Sequence, residues 1–144
     1  MSGLHAVLAV KLDPGAVEPT QAYPGDAGWD LHVFEPTRVP AGQYRDVRSG
    51  VRIALAKGWF CRIVGRSSAF RKKGVIVLEG IIDSGFRGEL FTTAFNPGTE
   101  DVYLEPGQSI AQLIVQPVPH VVVNVRDELP ASERGEAGFG SSGR

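Results

Sequence analysis

An all-β sandwich or barrel carrying one short helix and a flexible glycine- and serine-rich tail is predicted from the sequence by three observations. Apolar residues recur at a period of two along much of the chain. Eighteen glycines and 10 prolines among 144 residues place turns at short intervals, a density a helical bundle would not tolerate. A single stretch, Ser67–Lys73, has the makings of a helix.

Val51, Ile53 and Leu55 alternate, and Ala56-Lys57-Gly58 then reads as a hairpin connection. Trp59, Cys61 and Ile63 alternate against Phe60, Arg62 and Val64, an apolar run suited to a strand covered on both faces. Glu89–Asn96 is rich in β-branched and aromatic residues and runs into the turn Asn96-Pro97-Gly98-Thr99. A short strand over Asp101–Leu104 meets a second turn, Glu105-Pro106-Gly107-Gln108. Ser109–Val118 and Val121–Val125 complete the strands, punctuated by Pro117 and Pro119. In the helical stretch, Ser67 or Ser68 is expected as the cap, the basic residues 71–73 favour the C-terminal end, and Gly74 stops it. The tail Gly135–Arg144 has the composition of a flexible terminus.

Fifteen basic residues balance 16 acidic ones, for a net charge of −1. This argues against a nucleic-acid binder or a membrane-surface protein, both of which carry a basic excess. Hydrophobic residues make up 42% and charged residues 22%, a globular composition sufficient for one domain with its own core. The lone Cys61 allows neither an intrachain disulfide nor a cysteine-rich zinc site. No apolar run approaches the roughly 18–20 residues of a membrane span. The first residues lack the charged start and apolar stretch of a secretory signal, so a cytoplasmic protein is expected.

Four stretches place reactive side chains beside glycine where strands end. In Ala27-Gly28-Trp29-Asp30-Leu31, Asp30 is placed either to hold a divalent ion, directly or through water, or to cap a turn. Gly65-Arg66-Ser67-Ser68 offers a guanidinium, two hydroxyls and free backbone N–H groups to an anion, or is an ordinary helix start. Gly80-Ile81-Ile82-Asp83-Ser84-Gly85-Phe86 looks like a hairpin with one carboxylate and one ring on its rim. Asp83 there is either a general base beside a stacking Phe86 or part of a plain turn. The tail, from Arg134 through Phe139, Gly140, Ser141 and Ser142, is either a phosphate-cradling loop or a disordered end. His5, His32 and His120 share no metal-binding spacing, no nucleophile elbow surrounds any serine, and there is no Walker loop or dinucleotide fingerprint.

A fifth stretch, Pro106-Gly107-Gln108-Ser109-Ile110-Ala111-Gln112-Leu113, falls between the third and the tail. The five in this order resemble the motifs of the trimeric dUTP pyrophosphatase family, from about Ala22 to the C-terminus. Arg-Gly-x-x-Gly-Phe-Gly-Ser-Ser-Gly at 134–143 is the most specific of them. The resemblance implies a compact jelly-roll-like β-barrel over 1–133 and a mobile, site-closing tail over 134–144. It implies hydrolysis of dUTP to dUMP and pyrophosphate with Mg²⁺, which keeps uracil out of DNA and supplies dUMP for dTMP synthesis. Sites would lie between the subunits of a homotrimer, with no nucleic acid or membrane as partner.

Carried over residue by residue, Asp30 would hold Mg²⁺ through water, and Arg66, Ser67 and Ser68 would contact phosphates. The backbone of Gly80, Ile81 and Ile82 would read the uracil edge, Asp83 would activate water, and Phe86 would stack on the deoxyribose and exclude a 2′-hydroxyl. Gln112 would lie near the phosphates and the water. Arg134, Phe139, Gly140, Ser141 and Ser142 would close the site, with Phe139 over the uracil.

Phe86 stands where most of the family has Tyr, and Ala137 where glycine is common. Gly-x-Ser-Ser and Asp-x-Gly-Phe also match the related dCTP deaminases. The deaminase acid–base glutamate would fall at Thr93, which offers no carboxylate to shuttle a proton, so the pyrophosphatase is the preferred expectation. A non-catalytic nucleotide-binding module remains a third reading, which the intact Asp30, Asp83 and Arg134 disfavour.

Overall fold

A computed structural model describes residues 5–138. Eleven strands and one helix follow in order. The strands are β1 (Ala9–Leu12), β2 (Gly28–Leu31), β3 (Thr37–Val39), β4 (Tyr44–Arg48), β5 (Val51–Ala54) and β6 (Trp59–Gly65). After α1 (Ser67–Lys73) come β7 (Ile76–Leu78), β8 (Gly80–Ile82), β9 (Phe91–Phe95), β10 (Val102–Leu104) and β11 (Ala111–Pro117). Every named pairing is antiparallel. The largest sheet has the order β2-β11-β6-β8, a second runs β4-β9-β7, and the pairs β1-β5 and β10-β3 flank them without completing a barrel. The expected all-β fold with one short helix is the fold observed. Among the described residues no helix is long and apolar enough to cross a membrane.

Period-two patterning sets which face is buried. Val51, Ile53 and Leu55 point inward, as do Cys61 and Ile63 on β6 and Ala111 and Leu113 on β11, and together with Leu31 and Leu90 they form one core. Val33, Val39, Val47, Val75, Ala94, Leu104 and Ile110 form a second core with Ala69 of the helix, and Val77 packs against both. The seven-residue ladder of β6 with β11 is the spine of the larger sheet.

Four local expectations are corrected. Ala56-Lys57-Gly58 is not a hairpin: β5 pairs with β1, and β6 pairs with β11 and β8, so the turn carries the chain from one sheet to another. The turn after β8 is likewise no β-hairpin, since β8 pairs with β6 and the next strand, β9, pairs with β4 and β7. Neither Ser67 nor Ser68 caps α1. Arg66 is the N-cap in an extended conformation with no side-chain cap bond, because both serines already lie inside the first turn, whereas Gly74 ends the helix in the left-handed conformation as expected. Val121–Val125 is not a strand either. Val121, Val122, Val123 and Val125 are 71–93% exposed, because no edge within the described chain lies against them.

Candidate active site

The first cluster grows from the register of β2 on β11. Asp30 sits directly opposite Gln112, and Gly28 opposite Ile114. A Cβ at Gly28 would overlap the Gln112 amide and lie 2.7 Å from its Cδ, so glycine leaves the room that this side chain fills. On the other side of β11, the chain leaves β6 at Gly65 and Arg66, whose N–H donates to the Ile110 carbonyl at 2.9 Å. From there the Arg66 guanidinium reaches back over the sheet, where Nε lies 3.3 Å from Asp30 Oδ1. Asp30, Arg66 and Gln112, with Ala22, Asp26, Ala27 and Gly28, line a cleft of about 240 Å³. Ser67 and Ser68 follow Arg66, and their hydroxyls have no hydrogen-bond partner among the described residues. The cleft thus gathers two carboxylates, Asp26 (which accepts from the Tyr23 N–H) and Asp30, with a guanidinium and an amide, and two uncommitted hydroxyls lie next to it along the chain. Such a donor set suits a polyphosphate with a hydrated cation.

Sequence reasoning did not single out His32 here. It lies two residues beyond Asp30 on the same face of the chain, the one signal that could have found it. Its Nδ1 is buried with no partner among the described residues. Burial lowers its pKa, Asp30 counteracts that, and Arg66 adds to it.

The second cluster hangs from β8, where Gly80 is opposite Ile63 and Ile82 opposite Cys61. Beyond Ile82 the chain turns, with the Phe86 N–H donating to the Asp83 carbonyl at 3.1 Å. Arg87 Nη1 closes the turn by donating to the carbonyls of Ser84 at 2.6 Å and Phe86 at 3.0 Å. Asp83 is exposed and lines an open depression of about 450 Å³ with Trp59, Phe60, Ser84, Pro119 and His120. Phe86 is 45% exposed, and Ile81 is exposed on β8.

The two clusters occupy opposite ends of one sheet. Val64 is opposite Gln112, and Cys61, three residues earlier on β6, is opposite Ile82. Those three residues span roughly 10 Å, Asp83 lies one residue further, and three strand spacings add roughly 14 Å sideways. Within one chain, therefore, Asp83 and Asp30 are roughly 20 Å apart. Arg134 joins neither cluster: it is exposed and its Nε donates to the Ala137 carbonyl in a local turn. Phe139, Gly140, Ser141 and Ser142 lie outside the described residues. Thr93, where a deaminase would need its glutamate, donates its hydroxyl to Asp46 Oδ1 at 2.7 Å on the outer face of the β4-β9-β7 sheet.

Among the described residues no three His, Cys, Asp or Glu side chains come together as a metal cage. With Asp30 beside Arg66 and Asp26 the other carboxylate on the cleft wall, the lining is too sparse for a cage and suits a cation carried on phosphate oxygens and met through water.

The dUTPase family model matches residues 16–143. A deoxyuridine 5′-triphosphate nucleotidohydrolase of Leifsonia xyli is 43% identical over 128 residues, covering 87% of this chain and 84% of that protein. One of Aromatoleum aromaticum is 41% identical over 132 residues, covering 88% and 89%. Among solved structures, a point mutant of the Staphylococcus bacteriophage 80alpha dUTPase with dUpNHpp superposes with a TM-score of 0.90 at 26% identity, covering 96% of this chain and 99% of that one. A mutant dUTPase of phage phi11 of S. aureus, described with a structural Mg(II) ion, shares the fold at a TM-score of 0.79 and 18% identity, covering 87% and 99%. With the family match spanning nearly the whole sequence and both clusters on one sheet, the chain belongs to the dUTPase family.

Proposed function

We propose that this protein hydrolyses dUTP to dUMP and pyrophosphate, with Mg²⁺ on the triphosphate and a water molecule as nucleophile. The observation that carries the reading is the convergence of Asp30, Arg66 and Gln112 in one cleft. In this reading Arg66, Ser67, Ser68 and Gln112 bind phosphate oxygens and offset the charge that grows on the leaving pyrophosphate. Asp30 holds the hydrated Mg²⁺, which supplies charge neutralisation when bound. Asp83 takes the proton as water oxygen bonds to the α-phosphorus and the bond to the bridging oxygen of pyrophosphate breaks. Phe86 offers its exposed ring face to the deoxyribose, and the backbone of Gly80, Ile81 and Ile82 pairs with the uracil edge. Residues 134–144, with Arg134, Phe139, Gly140, Ser141 and Ser142, close over the site and exclude water.

The separation of Asp83 from Asp30 supports a second part of the proposal, a homotrimer whose sites lie between subunits. One chain offers two half-sites too far apart to serve one α-phosphate, so each is completed by a neighbour. The exposed valines after β11 and a largely apolar groove of about 360 Å³, lined by Leu8, Val10, Pro19, Trp29 and Val115 with Glu18 at one side, supply surface for such contacts.

A product assay on dUTP, dCTP, dTTP and UTP with Mg²⁺ tests the function. Formation of dUMP and pyrophosphate from dUTP alone is expected. Ammonia from dCTP would replace the reading with deamination, and binding of dUTP without turnover would leave a binding module. The same assay on a chain ending at Glu133 reads the tail: a steep loss is expected, and full activity would remove the lid from the mechanism.

A further inference from the structure

We propose that Gly88 is a specificity-determining position, because the space left by its missing side chain holds the Phe86 ring at the angle that rejects a ribose 2′-hydroxyl. The proposal rests on the reading of Phe86 as the surface that faces the sugar. A Cβ at Gly88 would lie 2.5 Å from the ring Cζ and 3.0 and 3.2 Å from its two Cε atoms, so the edge of the ring lies against the bare backbone. Gly88 is not among the glycines with positive φ, and the requirement for glycine there is one of space rather than of backbone conformation.

The surroundings leave the ring as the part that moves. The Phe86 backbone is held from upstream by its N–H bond to Asp83 and by the Arg87 clamp on the Ser84 and Phe86 carbonyls. Downstream, the Glu89 side chain is only 8% exposed. It accepts hydrogen bonds from Arg48 Nε and Nη2 and from the Gly50 N–H. A phenylalanine has no hydroxyl with which to anchor itself, so packing on Gly88 sets the tilt of the ring. Adding a methyl group at 88 is relieved most cheaply by swinging the free end of the ring outward, which opens room beside the sugar. Gly85, in the same turn, has nothing within 4 Å of where its Cβ would be apart from its own chain neighbours, and it supplies the control.

The test measures kcat/KM for dUTP and UTP together with thermal midpoints. Gly88→Ala is expected to lower the dUTP-to-UTP ratio about tenfold, in line with the modest discrimination a hydrophobic wall exerts on an added hydroxyl. Its melting temperature should stay at the wild-type value, and Gly85→Ala should keep the wild-type ratio. In a Phe86→Ala background, adding Gly88→Ala should change the ratio no further, which shows that Gly88 acts through the ring. A wild-type ratio in Gly88→Ala overturns the proposal, as does an equal further loss in the Phe86→Ala background. If Phe86→Ala itself keeps the wild-type ratio, the sugar-facing reading of Phe86 fails, and the proposal falls with it. Should Gly88→Ala not fold, Arg87→Ala, which releases the two carbonyl bonds, must lower the ratio in the same direction, and an unchanged ratio there is equally fatal.

Discussion

Arg66 Nε lies 3.3 Å from Asp30 Oδ1, which joins the end of β6 to β2 across β11. The Asp30 side chain is 18% exposed and that of Arg66 37%, so the pair contributes little to stability and is available to a ligand. A triphosphate entering the cleft would take the guanidinium, and its cation would take the carboxylate. In the proposed reaction the pair would keep both groups oriented before substrate arrives.

Asp30→Asn keeps the shape of that side chain and removes its charge. Apparent Mg²⁺ affinity and dUTP turnover should fall by about 10–100-fold, while the melting temperature changes little. A Mg²⁺ titration of initial rates checks this, and an unchanged titration curve would separate Asp30 from the cation.

Asp83→Asn removes the base and leaves the turn intact, because the bond that closes it uses the Asp83 backbone carbonyl. A loss of about 10²–10⁴-fold in kcat is expected, with dUTP affinity retained. Single-turnover rates alongside equilibrium binding would show it.

Gly28→Ala should expel the Gln112 amide from the position it occupies against the bare backbone. Because the overlapped atoms are the free end of a flexible side chain, stability is expected to change by less than about 1 kcal/mol, while activity falls through the displaced glutamine. If denaturant melts stay near wild type and rates match it too, the close approach is not needed.

Glu89 ties the end of the Asp83–Gly88 turn to β4. Burial opposes its charge, but hydrogen bonds from Arg48 and the Gly50 N–H outweigh that and hold its pKa below the ordinary 4.5. A carboxylate whose folded pKa is depressed adds stability that is fully present above its unfolded pKa. That stability is lost as pH falls through the folded value. Glu89→Gln should therefore destabilise by about 2 kcal/mol near neutral pH, and the gap to wild type should close as melts are taken from about pH 6 down to about pH 3. A gap that stays constant with pH would show that the charge contributes nothing.

Val123 and Val125 are 86% and 93% exposed in the single chain. Replacing both by Asp is expected to leave the β-sheet circular dichroism unchanged, to shift sedimentation from trimer to monomer, and to abolish turnover by parting the half-sites. A trimer that survives the double substitution would place the subunit contact elsewhere.

The Val51–Leu55 alternation correctly predicted an inward face because alternation reports burial directly, whatever the strand pairs with. Ala56-Lys57-Gly58 misled for the same reason. A turn-forming tripeptide announces a change of direction, and Gly58 at φ 91° makes one. Yet β5 finds β1 and β6 finds β11, partners far away along the chain. At α1, Gly74 was legible as the stop because a left-handed residue must be supplied locally, whereas the start slid to Arg66 once the backbone bond to Ile110 held it extended.

The candidate site divides along the same line. Asp30, Arg66, Ser67, Ser68, Asp83 and Phe86 could be singled out from the chain because each sits in a short stretch whose glycines and chemistry are written consecutively, whereas Gln112 was named only through the resemblance to the family. Only the folded sheet showed that Asp30, Arg66 and Gln112 share a cleft while Asp83 and Phe86 stand at its far end. It also brought out the glycine at 28 under Gln112, the glycine at 88 under Phe86, and the buried Nδ1 of half-buried His32 near Asp30. Period, turn chemistry and residue type are properties of neighbours along the chain, and they can be read there before any fold is known. Pairing partners and the spacing between distant side chains depend on register across strands, a non-local quantity that the packing of two cores settles only when the whole sheet is in place.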